Sequence, residues 1–379
     1  MKDLSLLIKP VSGRCNLRCA YCFYLDHALP GGDAGGARLS LPLLGTLVSK
    51  AMQEASGSVT FAFQGGEPTL AGLDFYREFV SLLKRNARAD LQVHLSLQTN
   101  GTLLDAEWAD FLRDNRFLVG LSLDGDKDLH DGFRTTPAGK GTWRTVSSAL
   151  RLLQEHDVET NLLCVVTGPS ARHAGRLYRT FKTLGCRYLQ FIPCLDPLDV
   201  PPGGASPHSL TPQRYGRFLC DLFDLWEADY LAGDYVSIRL FDDWVHALAG
   251  MPTGSCTTSG TCGGYFVVEA DGSVYPCDFY VQEDWRLGNI TDASFAELDA
   301  TPRSQTFREE SFQRPEACED CAYAPVCRGG CRRDRVLRGE SPTLENLQCQ
   351  AFQTFFRHAM PGLTAIADRE RAAARGARR

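Results

Sequence analysis

The chain has 379 residues, enough for one large domain and a smaller one. Hydrophobic residues make up 44% of it, so a sizeable core can form. The formal net charge of −6, from 40 basic and 46 acidic residues, argues against a nucleic-acid partner, because non-specific nucleic-acid binding needs a basic surface. Residues 1–10 hold one short apolar stretch that ends at Lys9. It is too short to span a membrane and lacks the small-residue cleavage site of an export signal. The expectation is a cytoplasmic chain with no membrane partner.

Candidate strands at 4–11, 59–64, 92–98, 118–123, 159–166 and 188–193 alternate with helix-like stretches near 42–55, 74–88, 106–115, 142–156 and 171–184. Several of these stretches place apolar residues three and four apart. Asp105 is the expected cap of the third. Such alternation implies an α/β fold with parallel strands joined by crossover helices. Six strands are too few for an eight-stranded barrel, so a partial (β/α)6 barrel is expected. A Pro- and Gly-rich loop at 196–212 breaks the pattern, and a helical stretch follows at 212–232. After about Phe241 the chain turns to loops, cysteines and one hairpin, 265–270 and 273–277 around Asp271-Gly272. The expected domains are a barrel at 1–240, a cysteine-rich domain at 241–365 and a basic tail at 366–379. The tail, rich in Arg and Ala from 368, reads as a solvated helix.

Cysteine usage is the anomaly. Fifteen cysteines without an export signal do not suggest disulfides, because cytosolic thiols stay reduced. Cys164, Cys186, Cys194 and Cys220 are isolated and read as buried small hydrophobes. The other eleven fall into closely spaced sets, which in a reducing compartment point to metal.

The first set is Cys15, Cys19 and Cys22, after the first strand. Three thiolates hold three irons of a four-iron cluster and leave the fourth open. An open position suits catalysis rather than structure. The alternatives are a zinc knot, for which His27 is the only nearby fourth ligand, or an unliganded loop.

Cys15-x3-Cys19-x-Tyr21-Cys22 after a first strand resembles the radical S-adenosylmethionine superfamily. The resemblance implies that S-adenosylmethionine fills the open iron position. It also implies that Gly65-Gly66-Glu67-Pro68, after the second strand, receives the cofactor's amino group on backbone carbonyls. Gln98-Thr99-Asn100-Gly101 follows the third strand, with no role attached. Ser122 and Asp124, in Ser122-Leu123-Asp124-Gly125 after the fourth strand, are expected at the cofactor. Arg134 is expected to pair with its carboxylate, Tyr21 to lie beside the adenine, and Leu195 to touch the adenosine. Taken singly, each could be structural; their order after successive strands gives them weight.

The later cysteines are Cys256, Cys262, Cys277, Cys318, Cys321, Cys327, Cys331 and Cys349. Eight divides into two sets of four, as two fully ligated clusters or two zinc sites would need. Cys318-x2-Cys321-x5-Cys327-x3-Cys331 resembles the SPASM extension of radical enzymes. That resemblance implies one auxiliary cluster on Cys256, Cys262, Cys277 and Cys331 and another on Cys318, Cys321, Cys327 and Cys349. Spacing alone does not settle the pairing. The cofactors expected are thus three [4Fe-4S] clusters and S-adenosylmethionine.

From residue 15 to residue 349 the chain resembles the anaerobic sulfatase-maturating enzymes, closely around Cys256, Cys262 and Tyr275-Pro276-Cys277-Asp278. The glycine-rich stretch 31–36 and the tail look like local variation. The family converts a cysteine or serine of a sulfatase into Cα-formylglycine. A 5′-deoxyadenosyl radical takes hydrogen from Cβ, a base takes the thiol or hydroxyl proton, and a second electron leaves through an auxiliary cluster. Asp278, next to Cys277, is the candidate base, though a turn Asp after a strand is the commoner fate. Tyr24 and Gln64 are candidates for substrate contact or for packing. The implied partners are a sulfatase polypeptide and a reducing donor such as flavodoxin or ferredoxin. The alternatives are another SPASM peptide modifier (thioether crosslink or epimer), a small-alcohol dehydrogenase, or an electron carrier with three clusters. Crosslinking enzymes often carry a recognition domain before the first cysteines, and only fourteen residues precede Cys15 here.

Overall fold

Apolar residues that alternate along 58–63 bury Val59, Phe61 and Phe63 on one face, which is the two-residue period of a strand. In the helix Leu73–Arg85, Phe75, Tyr76, Phe79, Val80 and Leu83 recur at helical spacing and are all buried. The computed structural model describes residues 1–25, 38–196, 206–338 and 343–376. His27, the stretch 31–36 and the last three residues of the tail lie outside the described residues.

The strands are β1 (Asp3–Ile8), β2 (Ser58–Phe63), β3 (Gln92–Thr99), β4 (Phe117–Ser122), β5 (Thr160–Val166), β6 (Tyr188–Pro193), β7 (Ser237–Ile238), β8 (Phe266–Val268), β9 (Ser273–Tyr275), β10 (Gly288–Asn289), β11 (Arg335–Arg338) and β12 (Thr343–Asn346). The chain forms two compact units. The first comprises Met1–Leu123, His130–Asn161 and Gly263–Glu309. In it β1 pairs with β2, β2 with β3 and β3 with β4, all parallel. The expected hairpin forms as β8 and β9, antiparallel, with Gly272 at φ 84 in the turn. Unforeseen is that β8 also pairs with β1 in parallel, so the hairpin extends the main sheet. Strand β1 ends at Ile8, earlier than expected, because the chain turns at Ser12 (φ 49).

The second unit comprises Asp124–Leu129, Leu162–Cys262 and Glu310–Arg379. There β5 pairs with β6 and β6 with β7, again parallel. The helix at 212–232 has the expected bounds, Pro212–Ala232, with Thr211 capping it by accepting from the Arg214 N–H. The helices Arg239–Ala249 and Cys349–Gly376 meet through Trp244 and Phe355, whose ring centroids lie 4.7 Å apart. The hairpin of β11 and β12 was not foreseen. Asp105 caps the helix Ala106–Asp114 as expected, by accepting from Trp108 N–H at 2.9 Å.

Cys164, Cys186 and Cys194 are buried, as expected of small hydrophobes. Cys220 is only half-buried, and its thiol reaches Thr354 O at 3.9 Å. Among the described residues no helix is long and apolar enough to cross a membrane.

Phe63 anchors the core of the first unit, with ring centroids 4.8 Å from Phe79, 5.0 Å from Tyr76 and 6.3 Å from Phe75. Phe63→Ala should therefore destabilise the protein by about 3–5 kcal/mol, read as a lowered denaturation midpoint. A loss below about 1 kcal/mol would contradict this packing.

Candidate active site

The loop that carries Cys15, Cys19 and Cys22 is gripped from two sides within the first unit. On one side, Gly66 N–H donates to Ser12 O and Glu67 N–H to Arg14 O, both at 2.8 Å. The grip leaves no room: a Cβ on Gly66 would lie 2.0 Å from Arg14 O. Gly65 sits at φ 122, a region that favours glycine. On the other side, Arg18 N–H donates to Thr135 O at 2.8 Å and Ala20 N–H to Phe133 O at 3.0 Å. This contact brings two expected cofactor residues together. The Arg134 guanidinium lies over the Tyr21 ring, 5.5 Å from its centroid.

Glu67 is fully buried, and its carboxylate accepts from Thr69 N–H (3.0 Å), Thr69 O–H (2.6 Å), Thr99 O–H (2.7 Å) and Asn100 N–H (2.7 Å). Burial raises its pKa, and these donors oppose that rise. The side chain therefore braces the ends of β2 and β3, and only the backbone of Gly65, Gly66 and Glu67 is left to meet a ligand. Asn100 in turn reaches Cys15, with Nδ2 3.8 Å from Sγ. Leu17 N–H also donates to that sulfur, at 3.3 Å.

A second cluster of polar groups surrounds Asp278, which is 4% exposed. Tyr24 O–H donates to its Oδ2, and Gln64 Nε2 donates to the same oxygen at 3.2 Å and to the Tyr24 oxygen at 3.1 Å. The three residues expected at the substrate are thus brought together. Lys9 holds the other oxygen, with Nζ 2.8 Å from Asp278 Oδ1 and 2.9 Å from Glu269 Oε1. Burial alone would lower the Lys9 ammonium; the two carboxylates outweigh it and hold it above its ordinary value. Burial and the adjacent Asp278 carboxylate push the Tyr24 hydroxyl well up, so it stays a donor. Asp278 N–H donates to the Tyr265 oxygen at 3.2 Å, and Tyr265 O–H donates to Cys277 Sγ at 3.4 Å.

In the second unit, Cys318, Cys321, Cys327 and Cys349 form one neighbourhood. Burial pushes the Cys327 thiol up to about 11, and the nearby thiols of Cys318, Cys349 and Cys321 push the same way. Cys256 and Cys262 are likewise near enough to repel as thiolates, and burial raises Cys262 further. Buried Arg335 donates to Gly260 O (3.0 Å), Gly329 O (3.0 Å) and Gly330 O (2.7 Å), bracing the loops next to Cys262, Cys327 and Cys331. Cys277 belongs to the first unit, while Cys256, Cys262 and Cys331 belong to the second. Ser122 ends β4 and is buried. Asp124 is buried and accepts Val165 N–H at 2.9 Å, and Leu195 follows β6.

Iron–sulfur ligation suits these donors. All eleven clustered cysteines stand outside disulfides. Cys15 receives N–H donors, as a ligating thiolate does. Among the described residues no three His, Cys, Asp or Glu side chains converge closely enough to hold a single metal ion. A four-iron cluster spaces its thiolates more widely than one ion does. Sequence reasoning gave no role to Lys9, Glu269, Asn100, Tyr265 or Arg335. A lysine closing an apolar strand was the one available signal, since its ammonium must find buried partners.

Residues 10–180 match the Radical SAM superfamily, and residues 260–322 match SPASM, an iron–sulfur cluster-binding domain. Fold and thiol loops thus define a radical S-adenosylmethionine protein with an added cluster-binding domain. Over 367 residues the chain is 44% identical to the cysteine-type anaerobic sulfatase-maturating enzyme of Clostridium novyi (strain NT), covering 97% of this chain and 98% of that one. It is 32% identical to the serine-type enzyme of Bacteroides thetaiotaomicron, covering 95% and 90%. A solved structure described as native anSMEcpe with bound AdoMet and Cp18Cys peptide is similar with a TM-score of 0.91 and 45% identity, covering 97% of this chain and 99% of that one. The chain belongs to the family of anaerobic sulfatase-maturating enzymes.

Lys9→Met would leave the buried carboxylates of Asp278 and Glu269 without their cation. It should cost about 3–5 kcal/mol of stability, read from chemical denaturation under anaerobic conditions. A cost below about 1 kcal/mol would show that the three charges are not buried together.

Proposed function

We propose that this chain oxidises a cysteine of a sulfatase polypeptide to Cα-formylglycine. The cysteine target rests on the 44% identity to a cysteine-type relative against 32% to a serine-type one. The observation that carries the reading is the buried Asp278 carboxylate, with Lys9 on one oxygen and Tyr24 and Gln64 on the other. The first cluster with S-adenosylmethionine supplies, when bound, a 5′-deoxyadenosyl radical that takes hydrogen from the target Cβ, and the auxiliary clusters give the second electron a way out. Cys15, Cys19 and Cys22 hold the first cluster in this reading. Cys256, Cys262, Cys277 and Cys331 hold one auxiliary cluster, and Cys318, Cys321, Cys327 and Cys349 the other. The backbone of Gly65, Gly66 and Glu67, with Tyr21, Ser122, Asp124, Arg134 and Leu195, binds S-adenosylmethionine. The barrel at 1–240 thus carries the cofactor and 241–365 the auxiliary clusters.

Asp278 acts as the base that takes the thiol proton. Loss of that proton, of a Cβ hydrogen atom and of one further electron turns the thiol into a thioaldehyde. Water then replaces sulfur and releases sulfide. Lys9 fixes one carboxylate oxygen, so the other is the one presented. Tyr24 and Gln64 donate to that oxygen, which supports their contact with a thiol docked there. The enzyme works in the cytoplasm and draws electrons from a flavodoxin- or ferredoxin-like donor.

Anaerobic incubation with cysteine- and serine-containing sulfatase peptides, read by mass spectrometry, tests this. The wild type should convert the cysteine peptide. Asp278→Asn should still release 5′-deoxyadenosine while formylglycine falls by about 100-fold or more. Normal product yield would remove Asp278 from the mechanism.

A further inference from the structure

We propose that Asn100 tunes the radical-forming cluster by donating an N–H···S hydrogen bond to Cys15, raising the potential at which that cluster accepts its electron. This rests on Cys15 being a ligand of that cluster.

Asn100 comes directly after β3, in the string Gln98-Thr99-Asn100-Gly101, to which the proposed chemistry gives no role. It is 7% exposed, and its amide orientation is fixed by its neighbours. Thr102 N–H donates to Asn100 Oδ1 at 2.9 Å, and a backbone N–H can only donate. That atom is therefore the oxygen, and Nδ2 must be the end that faces Cys15 Sγ at 3.8 Å and Asn16 Oδ1 at 2.9 Å. Thr102 O–H donates to the same Oδ1 at 2.7 Å while its oxygen accepts Asn16 Nδ2 at 2.8 Å, which closes a ring. From below, Asn100 N–H is pinned on Glu67 Oε2 at 2.7 Å.

As a thiol, Cys15 makes a long S–H contact to Asn16 Oδ1 at 4.0 Å. As a ligating thiolate it has no hydrogen and can only accept. Among the described residues its donors are then Leu17 N–H, which every residue but proline would supply, and Asn100 Nδ2, which the side chain chooses. A donor on a ligating sulfur stabilises the more negative, reduced cluster, and such bonds are among the protein's levers on potential. Asn100 is a positioning and tuning residue; it acts through Cys15 alone.

The test is an anaerobic potentiometric titration of the full-length protein with all clusters loaded, followed by electron paramagnetic resonance. The first cluster is recognised as the one whose signal changes when S-adenosylmethionine is added. Asn100→Asp keeps the oxygen that Thr102 needs and replaces the donor with an acceptor. Its first-cluster potential should fall, with the auxiliary potentials unmoved. Thr102→Val loosens the orienting ring but keeps the backbone donor, and should lower the same potential by a smaller step. If Asn100→Asp fails to hold the first cluster, Thr102→Val decides alone. An unchanged or higher first-cluster potential, or an equal shift in all clusters, overturns the proposal. A wild-type protein with no cluster responsive to S-adenosylmethionine would overturn the ligand reading beneath it instead.

Discussion

A single buried carboxylate sets the geometry of the loop that carries Cys15, Cys19 and Cys22. Glu67 leaves water at a cost of several kcal/mol, which its four hydrogen bonds to Thr69, Thr99 and Asn100 offset. In satisfying itself it locks the turn after β2 to the turn after β3. The backbone of that locked turn then grips Ser12 and Arg14, just ahead of Cys15. The position of the Cys15 loop is therefore set by ordinary amide hydrogen bonds between strand ends rather than by the thiols themselves. Gly66 is the condition for that grip, because no larger residue fits against Arg14 O.

The proposed base is built by a different device. Asp278 follows the β8–β9 hairpin, and its cation, Lys9, comes directly after β1. The parallel pairing of β8 with β1 brings them together, with Lys9 N–H on Val268 O at 2.9 Å as the last rung. A sheet register thus positions the acid–base group. Strand registers hold side chains more tightly than loops do, which suits a group that must meet one proton. Glu269 is a second carboxylate on the same ammonium, so the buried set holds two carboxylates against one Lys9, with Tyr24 and Gln64 as neutral donors on the outer oxygen.

Much of this was legible in the sequence. Local periodicity placed β2 to β6 and the helix Pro212–Ala232, and Asp271-Gly272 placed the hairpin, because each depends on neighbours in the chain. The cysteine spacing and the Gly65-Gly66-Glu67-Pro68 string marked the site for the same reason. What stayed hidden was long-range. Nothing local says that β8 joins β1 some 260 residues earlier, so Lys9 and Glu269 could not be matched to Asp278. Asn100 was noticed only as part of the string that follows the third strand, since its aim depends on Thr102 and on a thiol 85 positions away. Arg335 was missed because its partners are backbone carbonyls, which leave no mark in the sequence.

The most direct test of the account is whether three thiols, and only those, make this protein split S-adenosylmethionine. Wild-type protein and a variant with Cys15, Cys19 and Cys22 all changed to Ala would be reconstituted with iron and sulfide, reduced with dithionite and given the cofactor. The account predicts methionine and 5′-deoxyadenosine from the wild type. From the variant it predicts none, although iron remains on the eight later cysteines. Cleavage by the variant, or its absence from a fully loaded wild type, would contradict it.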